Sequence, residues 1–561
     1  MFTRHYAVWP KELPKTLSLP KTSVFTNLVI SALRYPNKTA IIFYDAIMTY
    51  SRMLEEVEAM AGYLQAKGVK KGDRVLLYMQ NSPQYVIAYY AILRADAIVI
   101  PINPMNRSSE LVHYIKDTGA ELCLASQELM DFIEPQLAST TLKQIIVASY
   151  STYIKADTDL CLPEEVAAPA WTRESEGVIS WETALTAGYQ PSEHTAGPED
   201  LAVIPYSSGT TGLPKGCMHT HRSVMTTAVH RAYWNLSTSS TVQLATLPFF
   251  HVTGMTGSMN GPIYTGSTMV IMTRWNRTTA SKLIERYKVT GWTNIVTMAV
   301  DFLSNPEIDQ YDLSSLSMIG GGGAAMPEAV AEKLKKLTGL DYIEGYGMSE
   351  TMAATHINPN HKPKAQCLGI PVFDVDSRII DVDTLKEKGP GETGEIVSHG
   401  PQVMAGYWNL SAETEASFIE IDGKRFLRTG DLAYYDDEGY FFMVDRVKRM
   451  INASGYKVWP SEVENLMYNN PAIQEVCVIS VPHAKRGETV QACIVLTPEA
   501  VDKTSTQDII SWCKDQMAAY KVPTTIEFLD ELPKSPTGKL MWRELQEKYS
   551  AEHEKTNQAL L

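Results

Sequence analysis

Between Tyr206 and Gly216 the chain reads Tyr-Ser-Ser-Gly-Thr-Thr-Gly-Leu-Pro-Lys-Gly, a run of hydroxyls and glycines closed by one lysine. Gly209, Gly212 and Gly216 permit backbone conformations that turn successive N–H groups toward an anion. Ser207, Ser208, Thr210 and Thr211 add short donors, and Lys215 adds a charge. The chemistry is that of a triphosphate grip. The spacing is not that of a Walker loop, in which Gly-Lys-Ser/Thr opens a helix, and Pro214 also speaks for a loop there. Further along stand Gly320 to Pro327 with four consecutive glycines, Glu344 to Thr351 (Glu-Gly-Tyr-Gly-Met-Ser-Glu-Thr), Arg428 to Leu432, Asp445-Arg446, and Pro533 to Lys539. Gly322 and Gly323 let backbone approach a flat ring, Ala324 and Ala325 leave room for it, and Tyr346 offers an aromatic face.

These segments must be held by a large fold. The 561 residues imply roughly three or four folding units. An apolar fraction of 44% with 20% charged residues is that of an ordinary globular enzyme rather than a disordered or fibrous chain. With 64 acidic against 50 basic residues and no long basic cluster, nucleic acid is excluded as a partner. Seven scattered cysteines without a Cys-x-x-Cys pair fit a reducing compartment. No signal-peptide core and no long apolar run is present, so a cytoplasmic protein is expected.

From Ala40 the pattern alternates as an α/β fold does: strands at 41–44, 75–79 and 98–101, and helices at 51–67 and 84–93. Ser51 reads as the N-cap of the first helix, Leu54, Val57, Ala61 and Leu64 as its buried stripe, and Gly68 as its stop. Residues 156–198 read as a loop-rich connection, after which a strand over 201–206 leads into the phosphate loop. The texture changes near Asp445, and the tail carries a small α+β pattern: a helix from Ser461, strands at 476–481 and 492–496, and an amphipathic helix over 507–518. The expected fold is therefore α/β, with an N-terminal domain over 1–445 (subdomains 1–198 and 199–445) and a small mobile α+β lid over 446–561.

In this order the motifs resemble the adenylate-forming superfamily of acyl-CoA synthetases, peptide-synthetase adenylation domains and luciferases. The resemblance runs from Pro36 to Lys539, and the N-terminal third with Pro248 to His251 looks most like bacterial medium- or long-chain fatty-acid:CoA ligases. It implies ATP, Mg2+ and CoA. Glu344, Gly345, Tyr346, Gly347 and the 322–325 segment would hold adenine, and Ser349 and Glu350 would meet phosphate and magnesium. Asp431 would take the ribose hydroxyls, with Met443 and Arg446 beside the nucleotide. Lys448 matches the lid hinge, Gly455 lies in the turn lining the pantetheine tunnel, and Lys539 matches the lysine that bridges carboxylate and α-phosphate during adenylation. His251 matches an aromatic position beside the reacting carboxyl. His219 and His221 have no third ligand and read as structural. Met255, Gly257, Met259, Met272 and Met298 are expected to wall the acyl site, and the absence of charge over 252–261 disfavours an amino-acid substrate. Val296 stands where relatives usually have proline.

The implied activity is ATP-dependent formation of an acyl-CoA from a medium- or long-chain fatty acid. An aryl- or short-chain acid:CoA ligase, an enzyme loading a carrier protein, and a non-catalytic nucleotide binder remain as alternatives. Peripheral membrane contact and a homodimer both stay open.

Overall fold

The computed structural model describes residues 1–154, 157–207, 214–453, 456–483, 487–534 and 540–558. They group into two compact units. The first comprises Met1–Ser377, Ser398–Leu427 and Glu438–Tyr440, and the second Arg378–Val397, Arg428–Asp437 and Phe441–Leu561.

The first unit is built on two nine-stranded sheets. One carries the parallel run Thr39–Phe43, Thr268–Ile271, Val242–Ala245, Gly291–Asn294, Met318–Gly322 and Tyr342–Met348, each strand hydrogen-bonded to the next. The other carries the parallel strands Leu201–Val203, Ile98–Pro101, Arg74–Tyr78, Leu122–Ser126 and Gln144–Ala148. Helix Pro83–Arg94 is buried over its whole length, capped by Ser82, whose Oγ accepts from Tyr85 N at 3.1 Å. A helix apolar on all faces belongs inside a core rather than on a surface. The observed α/β architecture is the one expected.

Locally the structure departs from the sequence reading at three places. Helix Tyr50–Ala66 is capped by Thr49, not Ser51: Thr49 Oγ1 accepts from Arg52 N, so the helix begins one residue earlier. The expected strand at 41–44 is half of a hairpin that returns along Ala46–Thr49. Its turn places Tyr44 and Asp45 at φ 44° and 70° without a glycine, and the Asp45 carboxylate is held by Tyr287 and Thr158. The usual Asn-Gly signal for such a turn is absent. Finally, 156–198 is not all loop: Val178–Ser180 adds a strand parallel to Gln144–Ala148, followed by helix Trp181–Leu185 with Trp181 fully buried. A three-residue strand is too short to show alternation and is fixed by its neighbour.

The second unit contains the long antiparallel pair Ile473–His483 and Gly487–Leu496, with Thr525–Phe528 parallel to the latter. Helices Pro460–Met467 and Thr506–Gln516 cover a core of Val463, Met467, Val476, Val478, Ile494 and Ile509. Strand Thr525–Phe528 and helix Trp542–Gln558 were not legible in the sequence. All seven cysteines are free. Among the described residues no helix is long and apolar enough to cross a membrane.

Candidate active site

The phosphate-loop segment is the connection of a hairpin. Strand Tyr206–Ser207 pairs antiparallel with Lys215–Thr220, placing Ser207 opposite Lys215. Helix Ser108–Thr118 grips both feet: Tyr206 Oη donates to Asp117 Oδ2 at 2.5 Å, and His113 Nε2 donates to the Pro214 carbonyl at 3.0 Å. Ser208, Gly209, Thr210 and Thr211 lie outside the described residues. Lys215 Nζ stands 5.2 Å from the centre of the Tyr407 ring. Tyr407 Oη in turn donates to Glu350 Oε1 at 2.9 Å. Burial and the Glu350 charge both push the Tyr407 phenol well above its usual pKa, so it stays a donor. Tyr407 was missed in the sequence because it lies 57 residues from Glu350; strand pairing of Cys217 with Tyr407 brings it there.

Glu350 is 7% exposed and sits in the middle of the short turn Ser349–Thr351, where its carbonyl accepts from Met404 N. The Ser349 carbonyl accepts from His219 Nε2 at 2.7 Å. Burial lowers the His219 pKa to about 4, so the ring is neutral. His221 accepts from Val24 N. Both histidines brace the fold, and no group of three potential metal ligands occurs among the described residues. A single carboxylate beside a phosphate grip does fit Mg2+, which takes one or two protein oxygens and completes its shell with phosphate and water.

The segment expected to hold the nucleotide is a backbone edge. Gly322 lies opposite Gly345 in parallel register, and a Cβ on Gly322 would come within 2.4 Å of the Gly345 carbonyl. Gly323 adopts φ +92°, a conformation open to glycine. Gly323, Ala324 and Ala325 are exposed. Half-buried Tyr346 follows Gly345, its ring packed on His356, while Gly347 is exposed and a Cβ there would strike the Ala353 carbonyl. Glu344 turns inward: its carboxylate accepts from Met326 N and Gln366 N, fixing the glycine segment, and burial raises its pKa to about 7.

The expected acyl wall is buried. Met255–Asn260 forms a π-helix, and Met255, Met259 and Met272 are sealed in the core; Met298 is half-buried. Such π segments often occur at functional sites. The wall hangs from helix Pro83–Arg94, where Tyr90 Oη donates to Asn260 Oδ1 at 2.8 Å. His251 is exposed and caps the turn Val252–Gly254. The sequence reading found no charge over 252–261, yet Arg231, from helix His221–Trp234, reaches this wall: a Cβ at Gly257 would lie 3.4 Å from the guanidinium. No local signal marks that arginine, which is 26 residues from the wall it touches.

In the second unit, Asp431 pairs across strands with Arg446, whose Nε lies 3.0 Å from Asp431 Oδ1. Asp431 is 2% exposed, whereas Met443 on the same ladder is exposed. Lys448 falls in the turn Val447–Arg449. Next to it Arg449, unremarked in the sequence, donates to Val478 O and pairs with Glu464. Gly455 and Lys539 lie outside the described residues.

The chain matches the family described as "AMP-binding enzyme" over residues 29–408 and "AMP-binding enzyme C-terminal domain" over 462–539. It is 36% identical over 563 residues to a long-chain-fatty-acid–CoA ligase of Bacillus subtilis, covering 98% of each chain. It is 34% identical to one of Escherichia coli O157:H7, covering 92% of this chain and 93% of the other. ATP-bound MatB from Rhodopseudomonas palustris superposes with a TM-score of 0.83 at 25% identity, covering 95% of this chain and 99% of MatB.

Proposed function

Because this chain belongs to the AMP-binding enzyme family, we propose that it is an ATP-dependent fatty-acid:CoA ligase, acting through an acyl-adenylate. One observation carries the reading: a single unit presents both a side-chain-free edge at Gly322–Gly323 and the cluster of Lys215, Tyr407 and Glu350 at the foot of the hydroxyl-glycine hairpin. An edge without side chains admits a flat base, and a cation next to a carboxylate suits a metal-bound polyphosphate.

In the first step a carboxylate oxygen of the acid attacks the α-phosphorus. The bond from that phosphorus to the bridging oxygen breaks, and pyrophosphate leaves. Two anions must approach, so the chain has to supply positive charge and donors at the transition state. Lys215 and the loop residues Ser207, Ser208, Gly209, Thr210 and Thr211 take the leaving phosphates. Lys539 bridges carboxylate and α-phosphate. Glu350, with Ser349 beside it, would hold Mg2+, which would supply positive charge against the phosphates. Asp431, positioned by Arg446, accepts the ribose hydroxyls, with Met443 alongside. Gly322, Gly323, Ala324, Ala325, Gly345, Tyr346 and Gly347 seat the base, with Glu344 bracing them from behind.

In the second step the CoA thiol sulfur attacks the acyl carbon, the bond from that carbon to the phosphate oxygen breaks, and AMP leaves as the thiol proton is released. Residues 446–561 act as the lid, turning at Lys448 to exchange nucleophiles, and Gly455 gives the pantetheine room. His251 shields the anhydride from water. The test is CoA-dependent AMP release across acetate, benzoates and fatty acids of increasing length. Preference for fatty acids supports the reading; preference for acetate or benzoates, or acyl transfer only to a carrier protein, overturns it.

A further inference from the structure

Asp117 is an acid at the wrong end of its helix. It stands in the last turn of Ser108–Thr118, where the helix already presents free carbonyl oxygens and a negative side chain is disfavoured. The partners of its carboxylate among the described residues are Tyr206 Oη, at 2.5 Å, and Asn409 Nδ2, at 3.4 Å, and no lysine or arginine is among them. Burial, and after it the hydrogen bond to this carboxylate, push the Tyr206 phenol well above its ordinary pKa, so the phenol keeps its proton and donates.

The main chain of the same residue holds a third segment. The Asp117 carbonyl accepts from Trp408 Nε1 at 3.0 Å and from Asn409 Nδ2 at 2.9 Å. Trp408 N donates to the Gly216 carbonyl at 2.8 Å, and Asn409 turns the chain at φ 56°, a left-handed conformation that asparagine tolerates better than most side chains. Gly216 lies opposite Tyr206 in the hairpin, and a Cβ there would come within 3.1 Å of the Tyr206 ring and 3.3 Å of Trp408 Cβ. Glycine at 216 therefore lets both aromatic residues close on the hairpin. Tyr407, immediately before Trp408, is the residue whose ring stands 5.2 Å from Lys215 Nζ and whose hydroxyl donates to Glu350. Asp117 is thus bonded at once to the strand that opens the hydroxyl-glycine segment and to the segment that brings Tyr407 to Glu350.

We propose that Asp117 is a positioning residue that sets the phosphate grip against the magnesium carboxylate. The inference rests on the acid-activating reading above, and Asp117 itself touches no substrate. A metal-bound polyphosphate must meet Lys215 and Glu350 together, so the two strands carrying them need a common reference. The side chain of Asp117 supplies that reference on the Tyr206 side and its carbonyl on the Tyr407 side. An acid kept at a helix C-terminus against the helix dipole is accounted for by these contacts, since a hydrogen bond to an ionised carboxylate is stronger than one between neutral groups.

The experiment measures pyrophosphate exchange by the full-length protein with one fatty acid, varying MgATP, pyrophosphate and the acid in turn, for wild type, Asp117→Ala, Asp117→Asn, Tyr206→Phe and the double variant Asp117→Ala with Tyr206→Phe. KM is independent of how much of each variant folds. Asp117→Ala should raise KM for MgATP and for pyrophosphate about tenfold while KM for the acid changes less than about twofold, and Asp117→Asn, which can still accept from Tyr206, should recover most of the difference. Tyr206→Phe should match Asp117→Ala, and the double variant should be no worse than either, because all three lose the same bond. An unchanged KM for MgATP in Asp117→Ala, equal rises for MgATP and acid, no recovery in Asp117→Asn, or multiplied effects in the double variant overturns the inference while leaving the ligase reading intact. Absence of exchange by wild type with fatty acids of every length overturns the ligase reading on which it rests.

Discussion

The edge proposed for the nucleotide and the wall proposed for the acyl chain lie in the same unit and are built by opposite means. At Gly322–Gly323 the surface is main chain: the Gly322 Cβ position is blocked by the Gly345 carbonyl, and what remains exposed is backbone shared by any sequence that keeps its glycines. At Met255–Asn260 the surroundings are side chains from distant segments: Arg231 lies against Gly257 and donates to Thr293, and Tyr90 donates to Asn260. A site made of backbone reads any substrate that shares one moiety, and every acid shares ATP. A site made of side chains is free to differ from relative to relative. Substitutions on the nucleotide side should therefore harm all acids alike, and those on the acyl wall should change which acid is used.

The largest expected effect tests the common side. Lys539→Ala should lower acid-dependent pyrophosphate exchange by about 10³-fold for every acid, while attack of CoA on supplied acyl-adenylate changes little. Parallel losses in both half-reactions would remove the bridging role. Glu350→Gln should cost about 10²-fold in kcat/KM, again independent of the acid, and raise the magnesium concentration needed for half-maximal rate. An acid-dependent loss here would break the contrast between the two regions. Arg231→Met is the converse, with a shift of about tenfold in acid preference and little change in KM for ATP.

Tyr407→Phe removes one hydrogen bond to Glu350, worth about 1 kcal/mol, so a loss of about fivefold is expected for all acids. The smallest effect concerns Glu344. Its pKa is raised to about 7 from 4.5, so between those values the folded protein binds a proton that the unfolded chain has released. This contribution favours the fold at low pH and is lost as pH rises from about 4.5 through 7. Glu344→Gln cannot titrate, so the melting temperature of wild type relative to this variant should fall by about 3 °C between pH 5 and pH 8. A constant difference would show that the carboxyl is not protonated in the fold.

Legibility followed the same division. The strand Ile98–Pro101 was visible as an unbroken apolar run, and the helices Pro83–Arg94 and Thr506–Gln516 as longer stretches that each follow a capping serine. The hairpin at Tyr44–Asp45 was not, because its turn is held by Tyr287 and Thr158, far away in sequence. Tyr407 gave no sign of its contact with Glu350 until strand pairing made it.

The sequence alone pointed to the family and its activation chemistry, since the glycine runs, the hydroxyl loop and the motifs around Glu350, Asp431 and Lys539 are short local patterns read in order along the chain. The tertiary structure decided how the hydroxyl loop is anchored by Asp117 and His113, how Tyr407 joins Glu350, and that a cation stands at a wall which reads as neutral in sequence. The reason is physical: backbone geometry is fixed by residues near in the chain, whereas the burial of Arg231 and its hydrogen bond to Thr293 are fixed by whatever the fold packs around it.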